Sequence, residues 1–296
     1  NRFRGRKSLL DDALRFTHER TGKPVFGVVD YISSLGLPEE DSVTFKAGLF
    51  ETHSSPNAEI EIGLIDLPHI SNFTDFEPFL AEPDVTIRII SSVDDLHSVS
   101  VILLPGSKNV MVDLSWLEQT GLAKEIIQIY HDKKIPVIGI CGGFQMLGRI
   151  IHDPHQIESS GKSIEGLGLL DMETVLEQDK TLVRQEGTHL PSSLDVHGYE
   201  IHHGQSQGRL FPLLDFQDIT AGAITRDNLI WGSYLHGIFD ADPFRRWFID
   251  SLRKQKGLEP ANRILAHYDL EPAFDSLAAA VREQLDMDSI YRLLKL

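Results

Sequence analysis

The sequence predicts an α/β fold, with a doubly wound, mostly parallel sheet flanked by helices. Short apolar segments of strand length alternate with segments of helix length through the middle of the chain. One apolar segment runs directly into Cys141, which glycines bracket, and then into residues that suit the first turns of a helix. The composition, 41% hydrophobic and 24% charged over 296 residues, is that of a globular chain with one large or two smaller domains.

The individual elements follow in chain order from these patterns. Residues 8–21 predict a helix and 24–30 a buried strand, which together make a piece of a sheet without its remainder. The predicted strands of the main sheet are 60–67, 85–90, 99–104 and 136–140, with a helix over 113–131. Later strands, which either extend this sheet or form an antiparallel edge, are 168–175, 198–203, 221–225 and 230–234. The last predicted helices are 242–256, 271–284 and 287–295.

Charge and cysteine content exclude several classes of function. The formal net charge of -16 makes nucleic acid an unfavourable partner, because its phosphates would be repelled. No apolar run approaches the ~20 residues that span a bilayer, and no signal peptide is visible. The single cysteine excludes an internal disulfide framework and fits a reducing compartment. We therefore expect a cytoplasmic protein with neither a nucleic-acid nor a membrane partner.

Cys141 is the candidate nucleophile. It follows an apolar strand and precedes two glycines, which is the layout of a nucleophile elbow with Cys in place of Ser. The glycines permit a tight turn and the close approach of neighbouring backbone. A thiol at a helix N-terminus also faces the positive end of the helix dipole, which favours the thiolate. An inert, buried cysteine at a strand end is the alternative, and the glycine bracket argues against it.

A cysteine nucleophile requires a general base, and His236 is the best candidate. It ends an apolar strand and is followed by a glycine, although a purely structural strand-end histidine would show the same pattern. Three other histidines, His197, His202 and His203, crowd one segment. They lack a cysteine partner and a His-x-x-x-His spacing, so no metal site is expected.

Backbone donors for an oxyanion are the third requirement. The turn that contains Gly106 follows a predicted strand and would reach the same edge of the sheet as Cys141. The N–H of Gly142 is the second candidate donor. An ordinary turn between strand and helix remains the alternative for Gly106.

Several motifs together resemble the class I glutamine amidotransferase domain, in the branch of the corrinoid-amidating synthetases, and most closely the cobyric acid synthase family. The first set of motifs is Gly139-Ile140-Cys141-Gly142-Gly143-Phe144-Gln145, Leu104-Pro105-Gly106-Ser107 and Tyr234-Leu235-His236-Gly237. The second set is Leu67-Pro68-His69-Ile70-Ser71-Asn72-Phe73-Thr74-Asp75 and Gly198-Tyr199-Glu200-Ile201-His202-His203-Gly204. The motifs agree in order over nearly the whole chain.

This resemblance implies a flavodoxin-like fold and a thioester mechanism. Cys141 would attack the side-chain amide of glutamine. His236 would protonate the leaving ammonia and then activate the water that hydrolyses the thioester. The amides of Gly106 and Gly142 would hold the oxyanion, and Gln145 would help to hold the glutamine.

The resemblance also implies a use for the ammonia. A synthetase domain would activate corrin carboxylates with ATP and convert adenosylcobyrinic acid a,c-diamide to cobyric acid in cobalamin biosynthesis. Glutamine and a corrinoid are therefore the implied partners. We expect no cofactor and no metal in this chain, and ATP and Mg for the full-length enzyme.

The chain departs from the family pattern in two respects. Many class I amidotransferases carry Glu two residues after the histidine, and here that residue is Ile238. A third member of the site is therefore absent or supplied elsewhere, with Glu200 and Asp240 as the candidates. The P-loop-bearing half of the synthetase domain is also missing from these 296 residues. The chain alone is expected to show at most glutaminase activity.

Together, composition and resemblance predict four parts. Residues 1–45 would be the end of a P-loop-type synthetase domain and 46–58 a linker. Residues 59–256 would form the glutamine amidotransferase domain, and 257–296 a helical extension packed on it. The competing hypotheses are a glutaminase subunit of a peptidoglycan or other amidating synthetase, a catalytically silent binding domain, and a thiol hydrolase on the same fold.

Overall fold

The structure, a computed structural model, describes residues 2–32, 35, 37, 58–217 and 219–295. The chain divides into two compact units. One contains the described residues of 1–38 and 269–296, and the other those of 39–268. The predicted linker, 46–58, lies outside the described residues except for its last position. The four-part division stays a prediction.

The described strands and helices have the following bounds. The strands are β1 (Ile60–Ile65), β2 (Ile70–Ser71), β3 (Val85–Ile90), β4 (Val101–Leu104), β5 (Gly106–Ser107), β6 (Val137–Ile140), β7 (Ile150–His152), β8 (Ser163–Glu165), β9 (Met172–His189), β10 (Leu194–Gly208), β11 (Leu214–Phe216), β12 (Ile219–Ala221), β13 (Ala223–Ile224), β14 (Ile230–Ser233) and β15 (Leu235–His236). The α-helices are α1 (Asp11–Thr21), α2 (Val110–Gln119), α3 (Leu122–Lys133), α4 (Gly142–Met146), α5 (Asp242–Gln255), α6 (Glu271–Gln284) and α7 (Met287–Leu294). A 3-10 helix spans Phe73–Ala81.

The larger unit is organised on a six-stranded sheet in the order β13-β14-β6-β4-β1-β3. Every pair in it is parallel except β13 with β14. The central strands β4 and β6 are buried at every position, as expected for a parallel sheet covered on both faces. The predicted α/β fold with a mostly parallel sheet is confirmed.

The strand-rich segment forms a second sheet, in the order β12-β11-β9-β10-β15. Its main feature is the long antiparallel hairpin of β9 and β10, with a register shift between His202 and Gly204. Both hairpin strands are longer than predicted. The added positions are mostly exposed and polar, so they lack the apolar pattern by which a strand is predicted. Strand β15 pairs with β10 and carries His236, so this sheet reaches the candidate site.

Two predictions of local structure are wrong. Residues 24–30 make only isolated bridges, Phe3 with Asp30 and Gly27 with Leu285, and form no strand among the described residues. The single helix predicted over 113–131 is two helices. Helix α2 begins earlier because the Asn109 side chain accepts the Val112 N–H, and the chain turns at Gly121, where φ is +80°.

Within the smaller unit, Gln284 joins its amino-terminal and carboxyl-terminal segments. Its side-chain oxygen accepts from Lys7 Nζ at 3.2 Å and from the Asp30 N–H at 2.9 Å. Lys7 and Asp30 also form an ion pair at 3.0 Å.

A buried ionic network ties α5 to the segment before β3. Arg245, which is fully buried, donates to Glu82 at 2.8 Å, and Arg246 donates to Glu82 at 3.2 Å and to Asp84 at 3.0 Å.

Of the helices that the structure describes, none is long and apolar enough to span a membrane.

Candidate active site

The backbone at Cys141 forms a strained turn between β6 and α4. Its φ of +51° and ψ of -107° lie outside the common regions for a side-chain-bearing residue. The Cys141 N–H donates to the Ser233 carbonyl at 2.8 Å, which fixes the turn to β14. A Cβ at Gly143 would overlap the Leu104 carbonyl, so the strand and helix can approach this closely only through glycine.

Helix α4 is only five residues long, so a helix dipole contributes little at Cys141. His236 is the nearby source of positive charge. It is 1% exposed and lines the same cavity as Cys141, whose sulfur donates to the Ile201 carbonyl at 3.8 Å.

Asp75 is the carboxylate that holds His236. Its Oδ2 lies 2.7 Å from His236 Nδ1, and its Oδ1 accepts the Gly237 N–H at 2.9 Å. Burial disfavours the imidazolium, but the Asp75 carboxylate and the Cys141 sulfur outweigh burial and raise the pKa of His236 to about 10. His236 is therefore an imidazolium at neutral pH, with Nε2 left to face a reacting group.

Neither predicted third member occupies this position. Glu200 directs its carboxylate to His202, 3.5 Å from Nε2, because its neighbour Tyr199 is the residue that pairs with His236. Asp240 makes no side-chain hydrogen bond among the described residues. Burial first, and then the charge of Asp75, raise the pKa of Asp240 to about 7.

Sequence reasoning missed Asp75 because it lies 161 positions from His236 in the chain. One signal could have indicated it. Asp75 lies between Phe73 and Phe76 in a segment that reads as apolar, and it is 3% exposed. A buried acid in such a segment requires a partner.

The predicted oxyanion residues lie beside Cys141 and His236. A Cβ on Gly106 would be 3.4 Å from His236 Cε1, and one on Gly142 would be 2.7 Å from the Ser107 N. The backbone of β5 therefore lies close to both the elbow and the imidazole.

The register of β2 and β5 decides where these amides face. The Lys108 N–H donates to the His69 carbonyl at 2.8 Å, so Ser71 and Gly106 form the next hydrogen-bonded pair. The N–H of Ser107 consequently faces away from β2, towards the elbow. The same register turns the N–H of Gly106 towards Ser71. The role of Gly106 as donor stays a prediction, and the N–H of Ser107 is a further candidate donor that sequence reasoning missed.

A cavity of about 500 Å³ opens on Cys141 and His236. Gln145 lines it and is 3% exposed; its Nε2 donates to the Tyr234 hydroxyl at 3.5 Å, while its Oε1 has no partner among the described residues. His202 also lines it, with its ring stacked on Tyr234 at 3.7 Å. The candidate nucleophile, base and binding amide are therefore in one cavity.

Residues of both charges line this cavity. Lys108 and Lys180 line it, and neither forms an ion pair with any residue the structure describes. Glu158, an acidic residue, lines the same cavity. Burial raises its pKa to about 7, although hydrogen bonds from the Met111 and Val110 amides act to lower it. Over the described ranges no group of three or more His, Cys, Asp or Glu side chains is arranged to hold a metal ion.

The elbow, imidazolium and carboxylate define a cysteine–histidine–aspartate site at the carboxyl edge of a parallel α/β sheet. Such a site suits attack on an amide carbonyl. Residues 61–244 match the family described as the CobB/CobQ-like glutamine amidotransferase domain, and the chain belongs to that family.

Proteins with similar sequences support this family assignment. The bifunctional adenosylcobalamin biosynthesis protein CobDQ of Leptospira interrogans is 45% identical over 300 residues, which cover 100% of this chain and 35% of that protein. A cobyric acid synthase of Nitratidesulfovibrio vulgaris is 41% identical over 338 residues, covering 100% of this chain and 62% of that enzyme. The chain thus spans between a third and two thirds of the length of these relatives.

A crystal structure of a glutamine amidotransferase has the same fold, with a TM-score of 0.50 and 13% identity over 67% of this chain and 99% of that one. At that identity the likeness concerns the fold alone.

Proposed function

We propose that the chain hydrolyses glutamine at Cys141 and delivers the ammonia to an ATP-dependent synthetase. The observation that carries the proposal is the Asp75–His236 pair at 2.7 Å, which shares one cavity with the thiol of a glycine-bracketed elbow. A buried imidazolium of this kind is the general acid that an amide leaving group needs.

The reaction then proceeds in two stages. The Cys141 sulfur attacks the side-chain carbonyl of glutamine, and His236 gives a proton to the departing nitrogen, so that ammonia leaves and a glutamyl thioester forms. The neutral imidazole next takes a proton from water, which attacks the thioester and releases glutamate. The amides of Gly142 and Ser107 stabilise the oxyanion in both stages.

Gln145 holds the substrate in this scheme. Its unpartnered Oε1 accepts an N–H of glutamine, which satisfies a buried polar atom that is otherwise alone. Lys108 or Lys180 attracts the α-carboxylate.

The ammonia is used, we propose, for amidation of corrin carboxylates, from adenosylcobyrinic acid a,c-diamide to cobyric acid. The named relatives support this substrate class. ATP and Mg would serve the synthetase part, to which residues 1–45 would belong, and this chain itself would carry no cofactor.

Glutamate release from glutamine tests the proposal, with the wild-type chain and Cys141→Ala compared. We expect release from the wild type alone, and a gain when the synthetase part is supplied. Equal background from both, with the synthetase part present, would leave a silent binding domain. Labelling of Cys141 by peptide-like electrophiles, without labelling by diazo-oxo-norleucine, would instead indicate another thiol hydrolase.

A further inference from the structure

We infer that Asp113 is a positioning residue for the oxyanion site. It acts on the β2–β5 ladder, the antiparallel pair of residues 70–71 and 106–107. Its contacts are Ser107, which belongs to β5, and His69, which directly precedes β2. The inference rests on the proposed function, because the ladder matters for catalysis only if an oxyanion forms at Cys141.

The contacts of Asp113 carry the argument. Its side chain is fully buried, and both of its oxygens accept hydrogen bonds. Oδ2 accepts the Ser107 hydroxyl at 2.6 Å. Oδ1 accepts the His69 N–H at 3.2 Å and lies 2.8 Å from His69 Nδ1. One carboxylate on α2 therefore holds both strands of the ladder.

The ladder itself is short. Each of its strands is two residues long, and a pair of that size is not stable by itself. The Ser107 hydroxyl also accepts the Asn109 N–H at 3.0 Å, so it links Asp113 to the start of α2 as well as to β5. Loss of the carboxylate would free the two strand ends at once.

The position of the ladder decides the direction of the donors. The Ser107 N lies against Gly142, the residue after the candidate nucleophile. A Cβ added to Gly142 would be only 2.7 Å from that nitrogen. Removal of one well-aimed oxyanion donor typically costs about 10²- to 10³-fold in kcat. A donor displaced and not removed would cost less, roughly tenfold to a hundredfold.

Asp113→Asn is the test variant, because its amide keeps the shape of the side chain but replaces one acceptor oxygen with a donor. Asp250→Asn is the matched control. Asp250 is also a buried carboxylate, 6% exposed, and lies away from the cavity; it accepts the Ala261 and Asn262 N–H groups at 2.9 Å and pairs with Arg246 at 3.0 Å. Both variants lose stability, so the control separates loss of folding from loss of positioning.

Three measurements are made on the full chain with each variant: kcat and KM for glutamate release, the rate of Cys141 alkylation by iodoacetamide, and amide hydrogen exchange of peptides that cover 69–72 and 105–109. For Asp113→Asn we expect kcat to fall roughly tenfold to a hundredfold with KM and alkylation nearly unchanged. Exchange should rise at the two ladder peptides alone. Asp250→Asn should keep its kcat.

Unchanged exchange at the ladder and an unchanged kcat in Asp113→Asn would overturn the inference. So would an equal loss of kcat in Asp250→Asn. Failure of the proposed function gives a different result, since glutamate release would then be the same in the wild type and in Cys141→Ala, whereas hydrogen exchange would still report whether Asp113 holds the ladder.

Discussion

Asp75 Oδ2 accepts a hydrogen bond from His236 Nδ1 at 2.7 Å, and its other oxygen accepts the N–H of the residue that follows His236. One carboxylate therefore fixes both the ring and the backbone at this position. The fixed Nδ1–H leaves Nε2 for proton transfer. Asp75, and neither Glu200 nor Asp240, is thus the carboxylate that contacts the His236 ring.

Replacement of Asp75 by Asn should lower kcat for glutamate release by about 10²- to 10⁴-fold, the usual contribution of an oriented acid–base group. The amide cannot stabilise the imidazolium, and it can hold the wrong tautomer. Steady-state kinetics with glutamine measure the loss, and KM should change little. Glu200→Gln is the comparison, because its carboxylate faces His202. An equal loss in Glu200→Gln would contradict the assignment.

Asp240→Asn should change how stability depends on pH. Burial and the charge of Asp75 raise the pKa of Asp240 to about 7 in the folded chain, above its ordinary value of 3.8. The folded state therefore binds a proton at Asp240 more tightly than the unfolded state does. The resulting contribution to the free energy of unfolding is complete below about pH 4 and is lost as the pH rises through about 7. Asn carries no charge and avoids that loss.

Urea unfolding of wild type and Asp240→Asn should consequently give similar free energies near pH 4.5 and a clear advantage for the variant at pH 8. A constant difference at all pH values would mean that Asp240 does not titrate in this range.

Tyr199 should contribute to activity through its ring. The ring stacks on His236 at 5.2 Å and 23°, and its hydroxyl accepts from Asn72 Nδ2 at 2.6 Å. A ring contact of this kind is worth about 1 kcal/mol, or roughly fivefold in rate. We expect Tyr199→Ala to lose about that factor in kcat and Tyr199→Phe to keep most of it. The opposite order would assign the effect to the hydroxyl.

Gly204→Ala should raise KM for glutamine more than it lowers kcat. An added Cβ would overlap Gln145 Nε2 and lie 2.8 Å from the Tyr234 hydroxyl, so it would displace the amide that is proposed to hold the substrate. Gly168→Ala is the comparison for backbone strain alone, because φ there is +65° in the wild type and the space beside the residue is open. If both variants raise KM alike, displacement of Gln145 is not the cause.

Glu82→Gln should destabilise the larger unit by about 3–5 kcal/mol, because it leaves two buried guanidinium groups short of a negative partner. Arg245 and Arg246 both donate to Glu82, whose side chain is fully buried. Chemical denaturation measures the change. Glu173→Gln, which breaks the half-exposed pair with Arg149, should cost less than about 1 kcal/mol. Similar losses in the two variants would show that burial does not govern the Glu82 network.

The sequence predicted those features that depend on neighbouring residues. Apolar runs such as 137–140 indicate buried parallel strands, and the glycines beside Cys141 indicate a sharp turn, because both properties are local. The carboxylate on His236 could not be predicted, since the contact joins segments 161 positions apart. The extent of β9 and β10 was also missed, because their exposed residues carry no burial pattern.

The Asp75–His236 bond has a consequence for folding. The two partners meet only when a loop of 161 positions is closed, and the turn at Cys141 does not itself contain either of them. A refolding chain would therefore regain its circular dichroism before it regains turnover. Catalytic competence is in this sense a reporter of long-range docking as well as of the sheet that carries the thiol.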